Sequence, residues 1–182
     1  MIKVTQELDT KTLTVLLKEV QKLPHDLEES INEVDKLLLL HYYHEINYDY
    51  RGHNRLYLII DTKDKVIGFV KLGFDSHNSS EAGINGLYIK KENRSEGYAP
   101  LVMKGIIKYL FDYESYEVIR SNAVSFNKES IKLQSMNFTK EGEKRHSIYW
   151  KNKWYNTVNF SLLREEYNVK VKGGVDFDFD IV

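Results

Sequence analysis

Hydrophobic positions along this chain follow two different periods, and the change from one to the other organises it. Leu13, Leu16, Leu17, Val20 and Leu23 recur at helical spacing, with Asp9 or Thr10 as a start signal and Pro24 as a stop. Asp26 followed by Glu29 has the form of a capping box, and Leu27, Ile31, Val34, Leu38, Tyr42 and Ile46 then trace a second helical stripe. From Leu56 the pattern turns to strands. Leu56–Ile60 and Val66–Leu72 are runs rich in β-formers on either side of Asp61–Lys65, which predicts a hairpin. A polar loop, Gly73–Gly83, leads into an apolar strand at Ile84–Ile89 and a helix reaching about Tyr113. A strand at Val118–Ser125, a short helix from Asn127, and strands near Phe138, Ile148 and Val158 complete the order, with Met1–Gln6 as a first strand. The order predicts a mixed α/β fold in one domain, residues 1–168, undivided by any repeat, linker or low-complexity segment.

The tail carries its own pattern. Val169-Lys170-Val171-Lys172 and Asp176-Phe177-Asp178-Phe179-Asp180-Ile181 alternate around Gly173-Gly174, which predicts a C-terminal β-hairpin extension over 169–182. A three-residue loop sets Lys172 against Asp176 and Lys170 against Asp178, and leaves Val169, Val171, Phe177 and Phe179 as one apolar face. Such a face needs a partner, either the domain's own sheet or a second subunit in a homodimer.

Composition narrows the class. A chain of 182 residues, 42% hydrophobic and 13% aromatic, buries a sizeable single core. Its net charge of −1 argues against a nucleic-acid surface as the main business. The chain has no cysteine, which removes disulfides, thiolate metal sites and a cysteine nucleophile. The start lacks an apolar stretch of signal-peptide length, and Leu37–Leu40 is too short to span a bilayer, so the expectation is a soluble, cytoplasmic protein away from membranes. His41 and His44 in His-Tyr-Tyr-His-Glu do not make the H-E-x-x-H pattern, so no metal is expected.

The stretch from Ile84 to Leu110 carries the chemistry. An apolar strand runs into Arg94-Ser95-Glu96-Gly97-Tyr98-Ala99 and then into a helix. The first amides of that helix lack intrahelical partners and have the positive end of the dipole behind them, so the order strand, glycine loop, helix builds an anion site. Gly97 permits close backbone approach, and Pro100 falls in the first turn, where a missing N–H costs least. Neither the P-loop pattern nor the G-x-G-x-x-G fingerprint is present. The segment resembles [RQ]-x-x-G-x-[GA], the coenzyme A pyrophosphate loop of the GNAT N-acetyltransferases. A second likeness follows at Asn127-x-x-Ser130-x-x-Leu133-x-x-Met136-Asn137-Phe138-x-x-Glu141-Gly142. It is similar to the N-x-x-S-x-x-L-x-x-x-G-F-x-x-E-G signature of the branch holding the ribosomal-protein N-terminal and small-amine acetyltransferases. Trp150, Trp154 and Asn159–Tyr167 resemble that branch's closing strand, and the likeness covers Leu56 to Tyr167.

The resemblance implies a GNAT fold: a central mixed, mostly antiparallel sheet in which two parallel strands splay, flanked by helices. It implies acetyl-CoA as co-substrate and a primary amine as acceptor, either a protein N-terminus or a small amine, attacking directly in a ternary complex. Residue by residue, Arg94, Ser95, Glu96, Gly97, Tyr98 and Ala99 would hold the pyrophosphate. Leu87, Tyr88 and Ile89 would offer backbone to the thioester, Asn127 would contact the pantetheine arm, and Ser130 would be the candidate acid beside the sulfur. For Asn127 and Ser130 helix capping is an equal and compatible role. The first two helices would form much of the acceptor wall, which makes Tyr42, Tyr43, Tyr48 and Tyr50 candidate contacts or, more simply, core and rim aromatics.

Departures from the pattern matter. The tyrosine acid common in the family is Gln134 here, and the two splaying strands carry no carboxylate. Glu81 is the nearest carboxylate by sequence and the candidate base, with a solvated loop charge as the competing reading. Without a base, the same fold would serve as a non-catalytic acyl-CoA-binding or protein-interaction module.

Overall fold

The computed structural model of the chain describes residues 3–5, 54–61, 63, 65–74, 80–171 and 180–181. They contain strands β1 (Lys3–Thr5), β2 (Asn54–Ile60), β3 (Val66–Phe74), β4 (Glu81–Ile89), β5 (Val118–Val124), β6 (Thr139–Trp150), β7 (Lys153–Leu163) and β8 (Asp180–Ile181). Helices α1 (Tyr98–Lys108), α2 (Lys128–Ser135) and α3 (Arg164–Val171) accompany them, and a π turn at Tyr109–Tyr113 extends α1. The strands form one sheet in the order β6-β7-β5-β4-β3-β2-β1-β8. β4 with β5 and β1 with β8 are parallel, and the other neighbours are antiparallel. This is the mixed sheet flanked by helices that the sequence predicts, with its central parallel pair joined through α1.

Local sequence explains most of these elements. β3 reads as a nearly continuous apolar run, and its positions Ile67–Leu72 are all buried, as befits a central strand covered on both faces. β5 instead alternates, with Ile119, Ser121 and Ala123 buried and Arg120 and Asn122 exposed. On α1, Val102, Met103, Ile106 and Ile107 bury one stripe, continued by Leu110 and Phe111 on the π turn. That stripe packs on Val70, Leu72, Ala82, Ile84 and Ile119 of the sheet.

Several boundaries move. Glu81–Gly83 belong to β4 rather than to a loop, and β3 continues through Phe74. The strands expected near Phe138 and Ile148 are one 12-residue strand, β6. Its register shifts between Lys140 and Gly142 and between Lys144 and Ile148, and these irregularities break the alternation that would have revealed one element.

The tail is the largest correction. Val169–Val171 do not begin a hairpin strand, because they continue α3, which runs across the expected boundary at 168/169. Asp180 and Ile181 pair in parallel with Lys3 and Val4 of β1. Tertiary anchors decide for the helix over β-propensity. The Glu166 carboxylate accepts from the Leu163 amide and from Thr139 Oγ1, each at 2.9 Å, completing half of a capping box. Tyr167 stacks on Phe111 at 4.8 Å and donates its hydroxyl to Asp112 Oδ2 at 3.1 Å. Arg164 ties the first turn to Glu117 through Nε at 3.0 Å. Val169 is 80% exposed and lies on helix α3 rather than on a strand face. The Gly173-Gly174 turn, Phe177, Phe179, the two N-terminal helical stripes, His41, His44, Tyr42, Tyr43, Tyr48 and Tyr50 lie outside the described residues. Among the described residues no helix is long and apolar enough to cross a membrane.

Candidate active site

β4 and β5 pair from Glu81 and Val118 as far as Ile84 and Ser121, and then they part. A bulge sits at the parting point. Leu72 faces Ile84 while Lys71 faces Gly86, so Asn85 is an extra residue in β4. Beyond it β4 stays on β3 to Ile89, whereas β5 stays on β7 through Val124 and Thr157. Each strand keeps its outer neighbour while the inner edges diverge, leaving inner-edge backbone groups available to a ligand. At the last shared rung the buried Ser121 hydroxyl donates to the Ile84 carbonyl at 2.9 Å.

Leu87, Tyr88 and Ile89 lie past the split, opposite Val70, Phe69 and Gly68 of β3. The Tyr88 ring stacks on Phe69 at 5.3 Å. At Gly68 an added Cβ would stand 2.1 Å from the Tyr88 carbonyl oxygen, so this close approach of β3 to the end of β4 admits only glycine. The backbone from Leu87 to Ile89 is thereby held from the β3 side.

Past Ile89 the chain makes a 3-10 turn, Lys91–Asn93, and enters α1 through Ser95 at φ 65° and Gly97 at φ 83°. Gly97 occupies the N-cap and supplies no side-chain cap. A Cβ there would meet nothing within 4 Å, so the loop's outer surface is open. Pro100 has no N–H, and the Tyr98 and Ala99 amides are first-turn donors without intrahelical acceptors. Arg94 straps the loop to the strand. Its Nε donates to the Ile89 carbonyl at 2.9 Å, and its guanidinium stands 5.6 Å from the centre of the Tyr88 ring. Ser95, Glu96 and Gly97 are exposed, while Arg94, Tyr98 and Ala99 are half-buried. Open space over Gly97, free amides and a helix N-terminus fit a diphosphate.

On the other side of the split, α2 begins after β5. Asn127 caps it, with Oδ1 accepting from the Ser130 amide at 3.0 Å. Among the described residues its Nδ2 has no acceptor, so capping leaves the amino group for a ligand. One turn beyond Ser130, Gln134 is buried, and its Nε2 donates to the Asn122 carbonyl at 2.9 Å and to Ser130 Oγ at 3.1 Å. Asn122 is the first β5 residue beyond the rungs shared with β4. Asn127, Ser130 and Gln134 therefore stand together against the diverging end of β5.

Glu81 is not brought to this place. It occupies the first paired rung, about 10 Å of strand before the split at ~3.3 Å per residue. Its carboxylate accepts from Arg120 Nε at 2.6 Å, and Arg120 Nη1 also reaches Glu141 at 2.9 and 3.0 Å. It is an ion-pair member on the sheet surface. Lys71 has no role in the sequence pattern, yet it is 2% exposed on β3 opposite Gly86, and its burial lowers its pKa to about 8. The available signal was a lone cation inside an apolar run. In the sequence Gln134 shows only as a missing phenol, because a contact to Asn122 twelve residues away has no local signature.

A family described as an acetyltransferase (GNAT) domain matches residues 2–158. YokL, an uncharacterized N-acetyltransferase derived from the SPbeta prophage of Bacillus subtilis (strain 168), is 25% identical over 116 residues, covering 62% of this chain. The matched stretch spans 64% of that relative's length. Among solved structures, a spermidine N-acetyltransferase from Vibrio cholerae in complex with CoA and spermine aligns with TM-score 0.69 at 16% identity, covering 92% of this chain and 98% of that one. A dodecameric structure of the Vibrio cholerae spermidine N-acetyltransferase aligns with TM-score 0.68 at 16% identity, covering 94% and 97%. At this identity the likeness is one of fold.

Proposed function

The chain belongs to the GNAT acetyltransferase family, and from that premise we propose that it transfers an acetyl group from acetyl-CoA to a primary amine by direct attack in a ternary complex. The parting of β4 from β5 after Ile84 and Ser121, with an open anion-binding loop at the end of β4, carries the reading. Acetyl-CoA supplies an activated carbonyl and a thiolate leaving group. The loop from Arg94 to Ala99 holds the pyrophosphate through backbone amides, and Asn127 Nδ2 meets the pantetheine arm. The backbone of Leu87, Tyr88 and Ile89 orients the thioester and receives charge developing on its carbonyl oxygen, at a position made rigid by the β3 contact at Gly68. Ser130 donates its hydroxyl proton toward the departing sulfur.

The acceptor is a small amine or a protein N-terminus. That a structural neighbour binds spermine supports the first, and the Asn127-to-Gly142 likeness to the ribosomal-protein branch supports the second. A cytoplasmic location accords with a chain that has no cysteine.

A second reading, coenzyme binding without turnover, draws on one observation: β4 beyond Glu81 and all of β5 carry no carboxylate. Thiol release from acetyl-CoA, measured against spermidine, spermine and short peptides with free N-termini, separates the two. Turnover with either acceptor class supports the enzyme, and calorimetric binding of coenzyme A without thiol release from any acceptor supports the module. In an active enzyme, Ser130→Ala should lower kcat by roughly 10² or more with little change in coenzyme affinity.

A further inference from the structure

We propose that Gln134 is a positioning residue that holds the Ser130 hydroxyl with its proton free for the leaving sulfur, an inference that rests on the reading of Ser130 given above. The orientation of the Gln134 amide follows from its surroundings. Its neighbour at 2.9 Å is the Asn122 carbonyl, which can only accept, so the group facing it must be the NH2. The same nitrogen lies 3.1 Å from Ser130 Oγ and offers its second hydrogen there. Ser130 is therefore an acceptor in this contact, and its own O–H points elsewhere.

Ser135 on the same helix shows what happens without such a partner. Its Oγ donates back to the Ile131 carbonyl at 2.8 Å, the usual fate of a helical serine proton. Among the described residues Ser130 Oγ donates to no acceptor. Gln134 Oε1 is buried and, among the described residues, unpartnered. The fixed amide thus leaves one acceptor unsatisfied, a cost tolerated where it serves orientation.

The proton balance closes. As the N–C bond forms and the C–S bond breaks with its electron pair on sulfur, Ser130 gives its O–H proton to sulfur. It recovers one from the attacking nitrogen, directly or through water, and ends unchanged. A hydroxyl that accepts from Gln134 is more acidic and keeps its own proton out of that contact.

The test uses Ser130→Ala, Gln134→Met, the double variant and Gln134→Glu in the full chain. kcat and KM for acetyl-CoA are measured from pH 6 to 9, with coenzyme affinity by calorimetry as the check on folding. Gln134→Met should lower kcat about tenfold with KM changed less than about twofold, and the double variant should be no slower than Ser130→Ala, because both act on one proton. Gln134→Glu cannot donate while ionised, so its kcat relative to wild type should rise as pH falls. Multiplying losses in the double variant, or wild-type kcat in Gln134→Met beside a slow Ser130→Ala, would overturn the inference while leaving the role of Ser130 standing. Full turnover in Ser130→Ala would instead remove the underlying reading, and the inference with it. If Gln134→Met does not fold, a Gln134→Glu profile parallel to wild type is itself a refutation.

Discussion

Gly97 separates backbone strain from electrostatics at the proposed coenzyme loop. It sits at φ 83° and ψ 2°, a left-handed conformation, and a Cβ added there meets nothing within 4 Å. Substitution therefore introduces no clash with the protein, and the cost to folding is conformational, about 1 to 2 kcal/mol for alanine and less for asparagine. Gly97→Asp adds a carboxylate of asparagine's size beside the proposed diphosphate. Two unit charges about 4 Å apart repel by about 1 kcal/mol in water and by about 4 kcal/mol at an effective dielectric of ~20. A loop rim lies between these limits, so Gly97→Asp should weaken coenzyme A binding by about 5- to 700-fold, at ~1.4 kcal/mol per decade. Gly97→Asn should remain within about threefold of wild type. Calorimetric titrations at low and high salt give both numbers, and screening should narrow the gap between the two variants. Equal affinities for Gly97→Asp and Gly97→Asn, with both folded, would refute the placement of the pyrophosphate at this loop.

Two other substitutions probe the strands that frame the split. Gly68→Ala places a methyl 2.1 Å from the Tyr88 carbonyl oxygen, so β3 or the end of β4 must move; a loss of about 2 kcal/mol or more in stability, with weakened coenzyme binding, is expected, and an unchanged melting temperature contradicts it. Lys71 is buried, and desolvation holds its pKa at about 8 against an ordinary 10.5. The folded state thus favours the neutral amine, and the stability this contributes is present above the unfolded value and lost as pH falls through about 8. Lys71→Met should flatten the rise in stability between pH 8 and 10.5. Urea unfolding at a series of pH values measures the slope, and a variant keeping the wild-type slope shows that another group is responsible.

The conformation of the Arg94–Ala99 loop was legible in the sequence because its requirements are local. A left-handed residue at Gly97, a proline where no N–H is needed and a first turn of unpaired amides all lie within a few residues, and the backbone alone dictates what they do. The same holds for the buried stripe of α1 and the apolar run of β3, where period and burial correspond directly. Where two local conformations were close in energy, or where a charge needed a neighbour, contacts across the fold decided. The alternation of Val169 and Val171 suits a strand, yet Tyr167 reaching Phe111 and Asp112, and Glu166 reaching Thr139, draw that segment into a helix. Glu81 looked available until the sheet set Arg120 beside it. Gln134 looked like a lost acid until packing of α2 on β5 aimed its amide at Asn122 and Ser130. Local sequence determines conformations whose energies arise within a turn or a strand, whereas the partner of a polar group is supplied from tens of residues away and is fixed only when the chain closes.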